Sequence, residues 1–421
     1  MSGPWRVCLV TPVIAAALAA QAATLAAQEP RNDVLRVFLD CQTRGCDFDH
    51  FRREITFADW VRDRADAQVH VLVTSQPTGG GGRSYNLSFI GLAEYQGRRD
   101  TLTYASRSTD TDAEVRDGLT RVLTLGLVSF AAHTGAAEGL RVSFVSPANG
   151  EETAPVRDPW DFWVFRIRAG GFVRGESRQR NRNFDGGLSA SRVTEAMKLQ
   201  FGASARYGHS EYETDSVTTV VSTQTSWSTS ALGVWSLSNH WSIGGRVNVG
   251  GATYVNQDLA VRLGPVLEYN VFPYTESTHR LLTVQFELRG VYYRYIDRTI
   301  FGKTAEAHPA HSVEVSFSQN QAWGNLHSSV EWFQYWHDLH RHLLQVFGGL
   351  DIRLVRGLSL NLNGNFARVK DQLYLSSVGL TTEEVLLSQR ALGTDYRYNL
   401  SFGLSYRFGS VFNNVVNPRI R

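Results

Sequence analysis

Apolar and polar residues alternate strictly from Tyr396 to Phe408. Every second position is large and apolar or aromatic (Tyr396, Tyr398, Leu400, Phe402, Leu404, Tyr406, Phe408), and between them stand Arg397, Asn399, Ser401, Gly403, Ser405 and Arg407. A strand turns successive side chains to opposite faces, so this stretch predicts a strand with one greasy and one polar face. It is longer than the mean strand of roughly 5–6 residues, and long enough for the roughly 9–11 tilted residues that cross a bilayer.

The same alternation recurs in about twelve segments from residue 160 onward. The clearest apolar sets are Phe165/Ile167/Ala169, Leu199/Phe201/Ala203, Trp241/Ile243/Val247/Val249 and Leu259/Val261/Leu263/Leu267/Tyr269. They continue with Leu282/Val284/Phe286/Leu288, Val313/Val315/Phe317, Val330/Trp332, Leu344/Val346/Leu350/Ile352 and Leu358/Leu360/Leu362/Phe366. Segments near 184–192 and 225–237 alternate weakly, so the pattern admits roughly ten to fourteen strands. The connections differ in length. Short turns fall at 194–196, 238–240, 275–280, 322–324 and 355–357, and longer loops at 209–224, 297–311 and 370–394. Tryptophans such as Trp235, Trp241, Trp332 and Trp336 stand near segment ends, where interfacial girdles belong. The expected architecture over 160–410 is an antiparallel transmembrane β-barrel of about 12 strands.

The opposite face of these segments carries the charges: Arg166, Arg168, Arg206, Arg246, Arg262, Glu268, Glu287, Arg289, Glu314, Glu331, Asp351, Arg353, Arg397 and Arg407. Facing lipid, a charge costs roughly 2–4 kcal/mol near the midplane, so these positions are expected to face a lumen. They can neutralise one another in a plugged, salt-bridged interior, or line a narrow channel that prefers anions, because arginines outnumber acids in the set.

Residues 31–147 follow a different rhythm. Leu35–Leu39 reads as a strand, and Phe51, Ile55, Ala58 and Val61 recur at helical spacing. Strands follow at Val69–Val73, Tyr85–Ile90 and Thr101–Ala105. Thr111 and Glu114 form a capping box for a helix carrying Val115, Leu119, Val122, Leu123 and Val128, and Leu140–Val145 reads as a last strand. The order predicts one mixed α/β sheet with helices on one face. The glycine run Gly79–Gly82 precedes a strand and lacks a following Gly-Lys-Ser/Thr, so it reads as a hairpin turn rather than a phosphate loop. Residues 148–159 read as a linker and 411–421 as a tail. Residues 1–27 read as a secretory signal, with Arg6, an apolar Val7–Ala20 stretch and a cleavage site at Ala20-Gln21-Ala22.

Composition narrows the class. The formal net charge of +2 gives no field for nucleic acid. Mean hydropathy is −0.23, and no apolar run of about 18 residues follows the N-terminus, so a helical membrane protein is not expected. Cys8 belongs to the signal, leaving Cys41 and Cys46 for a disulfide in an oxidising compartment. A metal pair with Asp40, Asp47, Asp49 and His50 nearby is the sharper reading, but it lacks a recognisable ligand spacing.

Candidate chemistry is sparse. His337-Asp338-Leu339-His340-Arg341-His342 forms a polar cluster in an outer turn beside Trp336. It offers a barrel-rim hydrolase (protease-like or lipase-like), weak metal candidates in His337, His340 and His342, or a solvated turn without chemistry, which the sequence favours. No nucleophile–base pair stands out, and no catalytic residue, metal or cofactor is expected. His70, flanked by Val69 and Val71, reads as a surface or satisfied histidine. In the longest loop, Thr381 and Glu384 form a second capping box before Val385, Leu386, Leu387 and Leu392, suiting a short helix over the barrel mouth.

Ser401, Gly403, Tyr406 and Phe408 resemble the C-terminal insertion signal of bacterial outer-membrane proteins, although residues 409–421 follow it. The barrel half resembles outer-membrane β-barrel proteins of Gram-negative bacteria, among them the salt-induced outer-membrane family. The first domain resembles, in element order, small α/β domains of periplasmic envelope proteins. These resemblances imply a location rather than an activity. The expected protein is a non-enzymatic outer-membrane barrel with its N-terminal domain in the periplasm, serving envelope structure or passage of small solutes. The hydrolase and an envelope-assembly role through the first domain are the alternatives. Expected partners are the outer-membrane lipid bilayer, the outer-membrane assembly machinery and a periplasmic protein, with no nucleic acid.

Overall fold

The computed structural model describes residues 34–143, 158–213, 219–378 and 390–410. The first part is a five-stranded sheet built from β1 (Leu35–Cys41), β2 (Ala58–Trp60), β3 (Val69–Pro77), β4 (Arg83–Gly91) and β5 (Arg99–Ser106), in the order β2-β1-β3-β4-β5. The β1 strand pairs in parallel with β2 and β3, and the β3-β4-β5 meander is antiparallel. Two helices, α1 (Phe48–Glu54) and α2 (Asp112–Ala131), complete the domain. The capping box at Thr111 and Glu114 is formed in both directions, satisfying backbone N–H groups that a helix start leaves open.

The core lies between sheet and helices: Val37, Val69, Val71, Leu87 and Phe89 meet Phe51, Leu119, Leu123, Leu127 and Phe130, all nearly inaccessible. Gly118 and Gly126 let α2 approach closely, since a Cβ there would collide with the Tyr104 and Phe89 rings. A disulfide joins Cys41 and Cys46 at the end of β1.

Two expectations are corrected here. The helix stops at Glu54, and Ala58–Trp60 is an edge strand with Ala58 and Trp60 buried. Residues Leu140–Ser143 form no strand, and the rest of that stretch lies outside the described residues.

The second part is a twelve-stranded antiparallel sheet in simple meander order. Its strands are β6 (Trp163–Gly175), β7 (Gln179–Val193), β8 (Met197–Glu213), β9 (Thr219–Ser236), β10 (Trp241–Ala252) and β11 (Gln257–Asn270), then β12 (Arg280–Tyr295), β13 (Ala305–Gln321), β14 (Gly324–Tyr335), β15 (His342–Val355), β16 (Leu358–Val369) and β17 (Tyr396–Tyr406). The weakly alternating segments are strands, because their neighbours supply an uninterrupted ladder on both sides. The strands around 209–224 run further than expected, and only 214–218 separate β8 from β9, outside the described residues.

One face is an accessible apolar belt that includes Phe165, Ile167, Phe201, Ile243, Leu263, Phe286, Phe366, Leu400, Phe402 and Leu404. So much contiguous exposed hydrocarbon is foreign to a soluble monomer. The eleven residues of β17 would span about 36 Å fully extended, or about 25 Å at a 45° tilt, the height of a barrel's lipid-facing band.

The last strand is shorter than its alternation implied. It ends at Tyr406; Arg407 donates its N–H to Gly357 at 2.7 Å, and Gly409 turns the chain at φ 106°. Phe408 is therefore accessible but lies past the ladder. Ser401, Gly403 and Tyr406 are within it. Among the described residues β6 and β17 are the sheet's edges and do not pair with one another.

Candidate functional site: the lumen and its two closures

The inner face of the curled sheet carries the polar residues. Its register places Asp185 opposite Arg206, and Arg206 opposite Ser226. A cavity of about 520 Å3 opens here, lined by Arg168, Asp185, Ser204, Arg206, Asn248 and Arg262 among others. Arg168 stands 3.7 Å from Asp185, and Arg262 lies over the Tyr293 ring. Arg206 has no acidic partner among the described residues. Asp185 is the only acid lining this cavity against three arginines, so the cavity holds surplus positive charge.

Around β12 the charges are neutralised. Arg246 donates to Glu287 at 2.9 Å, Arg289 bonds Glu287 at 2.8 Å, and Arg289 reaches Glu331 at 3.4 Å. Glu268 accepts from Tyr274 at 2.5 Å and from Gln285 at 2.6 Å, and Glu314 accepts from the Ser316 hydroxyl. The interior is thus both salt-bridged and arginine-rich, in different places.

At the long-loop end, away from the first domain, residues 370–378 fold inward. Leu373 is buried in a cluster with Ala260, Val291, Tyr293, Phe333 and Tyr335. Asp371 lies within electrostatic reach of Arg397 on β17 and His342 on β15, and of Arg262 on the more distant β11. The segment is tied down by Ile300 N–H to Leu375 O (2.9 Å) and Ser377 N–H to Arg298 O (2.8 Å). Asn256 is the central tie. Its amide donates to Tyr374 O and Asp297 O, and its oxygen accepts from Asp297 N–H. It is buried and left-handed at φ 52°. The capping box at Thr381 and Glu384 lies outside the described residues.

At the short-turn end the first domain covers the lumen. Arg353 reaches out of β15 and grips Asp40 with two hydrogen bonds of 2.6 and 2.7 Å, its guanidinium 5.1 Å from the Phe38 ring. Arg353 thereby leaves the lumen ladder. Asp40 is 4% exposed and lies 3.4 Å from His70 Nε2, which is fully buried. Further contacts surround this one: Arg356 donates to Asp66, Gly357 N–H to Asp63, Gln42 to Gln321 O, and Arg62 to Gly409 O. The Gly79–Gly81 turn lies against Val164, Arg166 and Val193. Asp351 lines the cleft beside this junction, and Arg397 is exposed on the edge strand β17.

Burial would raise the Asp40 carboxyl, but His70 and Arg353 outweigh it and hold it below the usual carboxylate range. Burial keeps His70 below its ordinary 6.5. Both folded values are depressed, so both contributions are present at neutral pH and fade on acidification. That of His70 fades as pH falls below about 6.5, and that of Asp40 only as pH falls from the unfolded value of 3.8 through its lowered folded value. The urea midpoint of the domain, followed by its helical circular dichroism, is expected to be lower at pH 5.5 than at 7.5. An equal or higher midpoint at pH 5.5 would contradict this electrostatic account.

The rim cluster does not assemble. His337 stacks on His308 at 3.6 Å, His342 faces outward on Trp332 at 4.7 Å, and Asp338 bonds Arg341 and the His340 N–H. His342 already belongs to β15, whose pleat turns it to the outer face, so the three imidazoles diverge. No group of three metal-ligating side chains is found among the described residues.

In the sequence Asp40 reads only as a neighbour of the candidate metal pair, and Asn256 gives no functional signal. The signal for the Asp40 contact is an acid directly after the apolar run Val37–Leu39, on the same face as His70 of the next strand.

No family model and no curated protein matches this sequence. Several solved structures are similar to part of it, two of which are named here. One is the translocator domain of autotransporter NalP from Neisseria meningitidis, 13% identical over 58% of this chain and 87% of that chain, with a TM-score of 0.28. The other is the NanC porin in a rhombohedral crystal form, 8% identical over 57% of this chain and 99% of that chain, with a TM-score of 0.29.

Proposed function

We propose that this chain is an outer-membrane β-barrel protein that passes small anionic solutes, with its first domain on the periplasmic side as the inner closure and residues 370–378 as the outer one. The accessible apolar belt supports the membrane placement. The observation that carries solute passage is the lumen cavity with three arginines to one aspartate, ringed by serine hydroxyls and amides. An anion there exchanges water for guanidinium hydrogen bonds, which are charge-assisted and strong. A cation meets net repulsion. An enzymatic reading at the rim has less support, because its histidines point apart.

Reversal potentials of the purified protein in planar bilayers under a KCl gradient test this reading. Anion preference is expected, and replacing Arg168 and Arg206 with glutamate should invert it. Cation preference in the native protein, or a selectivity indifferent to those two replacements, would reject it.

A further inference from the structure

A second cavity lies away from the lumen arginines, in the cleft between the first domain and the inner turns of the sheet. It holds about 680 Å3 and is lined by six arginines (Arg52, Arg62, Arg64, Arg353, Arg356 and Arg407) against three aspartates (Asp40, Asp63 and Asp351). The acids and cations do not cancel. Asp40 is committed to Arg353, and Arg356 to Asp66. Arg52 is paired with Asp49 at 3.1 Å. Asp63 spends both carboxylate oxygens on backbone N–H groups, those of Ala65 (2.9 Å) and Gly357 (2.7 Å).

Among the described residues Asp351 makes no salt bridge, and neither do Arg62, Arg64 and Arg407, so three unpaired arginines face one unpaired aspartate in the cleft. Arg62 is the most constrained. Its Nη2 donates to Gly409 O at 3.2 Å, while its buried Nε has no hydrogen-bond partner. A guanidinium has five N–H donors in a rigid fork that matches a tetrahedral oxyanion, and a buried unmatched donor costs free energy. Apolar surface completes the cleft, from Phe38, Phe48, Val61 and Trp323.

We infer that this cleft is a binding site for a phosphoryl group, with Arg62, Arg64 and Arg407 as its ligands and the aromatic wall receiving the organic part. Planar bidentate guanidinium recognition favours phosphate over halide. The apolar wall favours a phosphate ester over the free ion. The chemistry suits either a soluble phosphate ester or the phosphodiester headgroup of a lipid in the adjacent leaflet. The site is separate from the lumen arginines, so it stands or falls independently of solute passage.

The test uses the full chain in zwitterionic detergent micelles, with phosphorus NMR line broadening as readout. One arm titrates inorganic phosphate and glycerol 3-phosphate; the other adds phosphatidylglycerol or phosphatidylcholine to the micelles. Saturable broadening is expected, with the Arg62→Gln/Arg64→Gln double variant at least tenfold weaker. Arg99→Gln, on β5 and outside the cleft, should bind as the native protein does. Arg64→Gln alone, at an exposed position, keeps the test valid if the double variant folds poorly, and should also weaken binding. Saturation by the soluble phosphates assigns a soluble source, and saturation by phosphatidylglycerol a lipid one; either supports the site. No saturation in any arm, or equal binding by the variants, overturns it.

Discussion

Replacing Arg353 with leucine is expected to release the first domain from the barrel. The substitution removes both hydrogen bonds to Asp40 and leaves a 4%-exposed carboxylate beside a buried imidazole. Breaking a buried pair from one side costs about 3–5 kcal/mol, mostly because the remaining charge is stranded. The lower end applies here, since Arg353 itself is partly accessible. A loss of 3 kcal/mol is more than a hundredfold in the docking equilibrium. Limited proteolysis should show it as faster digestion of the first domain, with the barrel core left intact. Adding Asp40→Asn should recover part of the loss, because the stranded charge is gone. If Arg353→Leu resists protease like the native protein, the ion pair does not hold the domain.

The closure at the long-loop end should fail through Asn256. Alanine there removes three hydrogen bonds, two to carbonyls and one from Asp297 N–H, in a buried setting. Each stranded group costs about 1–3 kcal/mol, and a left-handed alanine adds roughly 1–2. Residues 370–378 are then expected to leave the lumen. The two closures lie in series, so single-channel conductance should rise modestly in Asn256→Ala and severalfold when Arg353→Leu is added. Native conductance in the double variant would show that neither segment obstructs the path.

What could be read from sequence follows from the range of each interaction. The period of two in Leu282–Leu288 is a local property imposed by lipid on one side and water on the other, so about twelve strands and the facing of the clearest ones were visible. Strand ends were not, because they depend on partners. The alternation from Tyr396 runs on to Phe408, but Arg407 bonds to Gly357 instead of continuing the ladder. Ala58 and Val61 fit a helical spacing, while pairing with β1 decided for a strand. The two closures were least legible. Asp40 meets Arg353 across 313 positions, and Asn256 looks like any turn asparagine until residues 370–378 fold onto it. The Tyr293 and Tyr335 hydroxyls, 42 positions apart in the chain, likewise meet at 3.2 Å only in the folded sheet.

The edges β6 and β17 give the first domain a second task, in the order of assembly. In hydrocarbon, each row of open backbone N–H and C=O groups costs several kcal/mol per group, so the two edges are driven to meet. They are separated by the whole sheet, and drawing ends so distant together costs on the order of 5 kcal/mol in chain entropy. The first domain emerges from synthesis before any sheet strand and touches both flanks, through Gly79–Gly81 near β6 and through Arg62 at Gly409 beyond β17. Contacts to both flanks would let the folded domain hold them near one another, which would leave the remaining search over register alone. A barrel made without it should therefore close slowly, even where the finished barrel is equally stable.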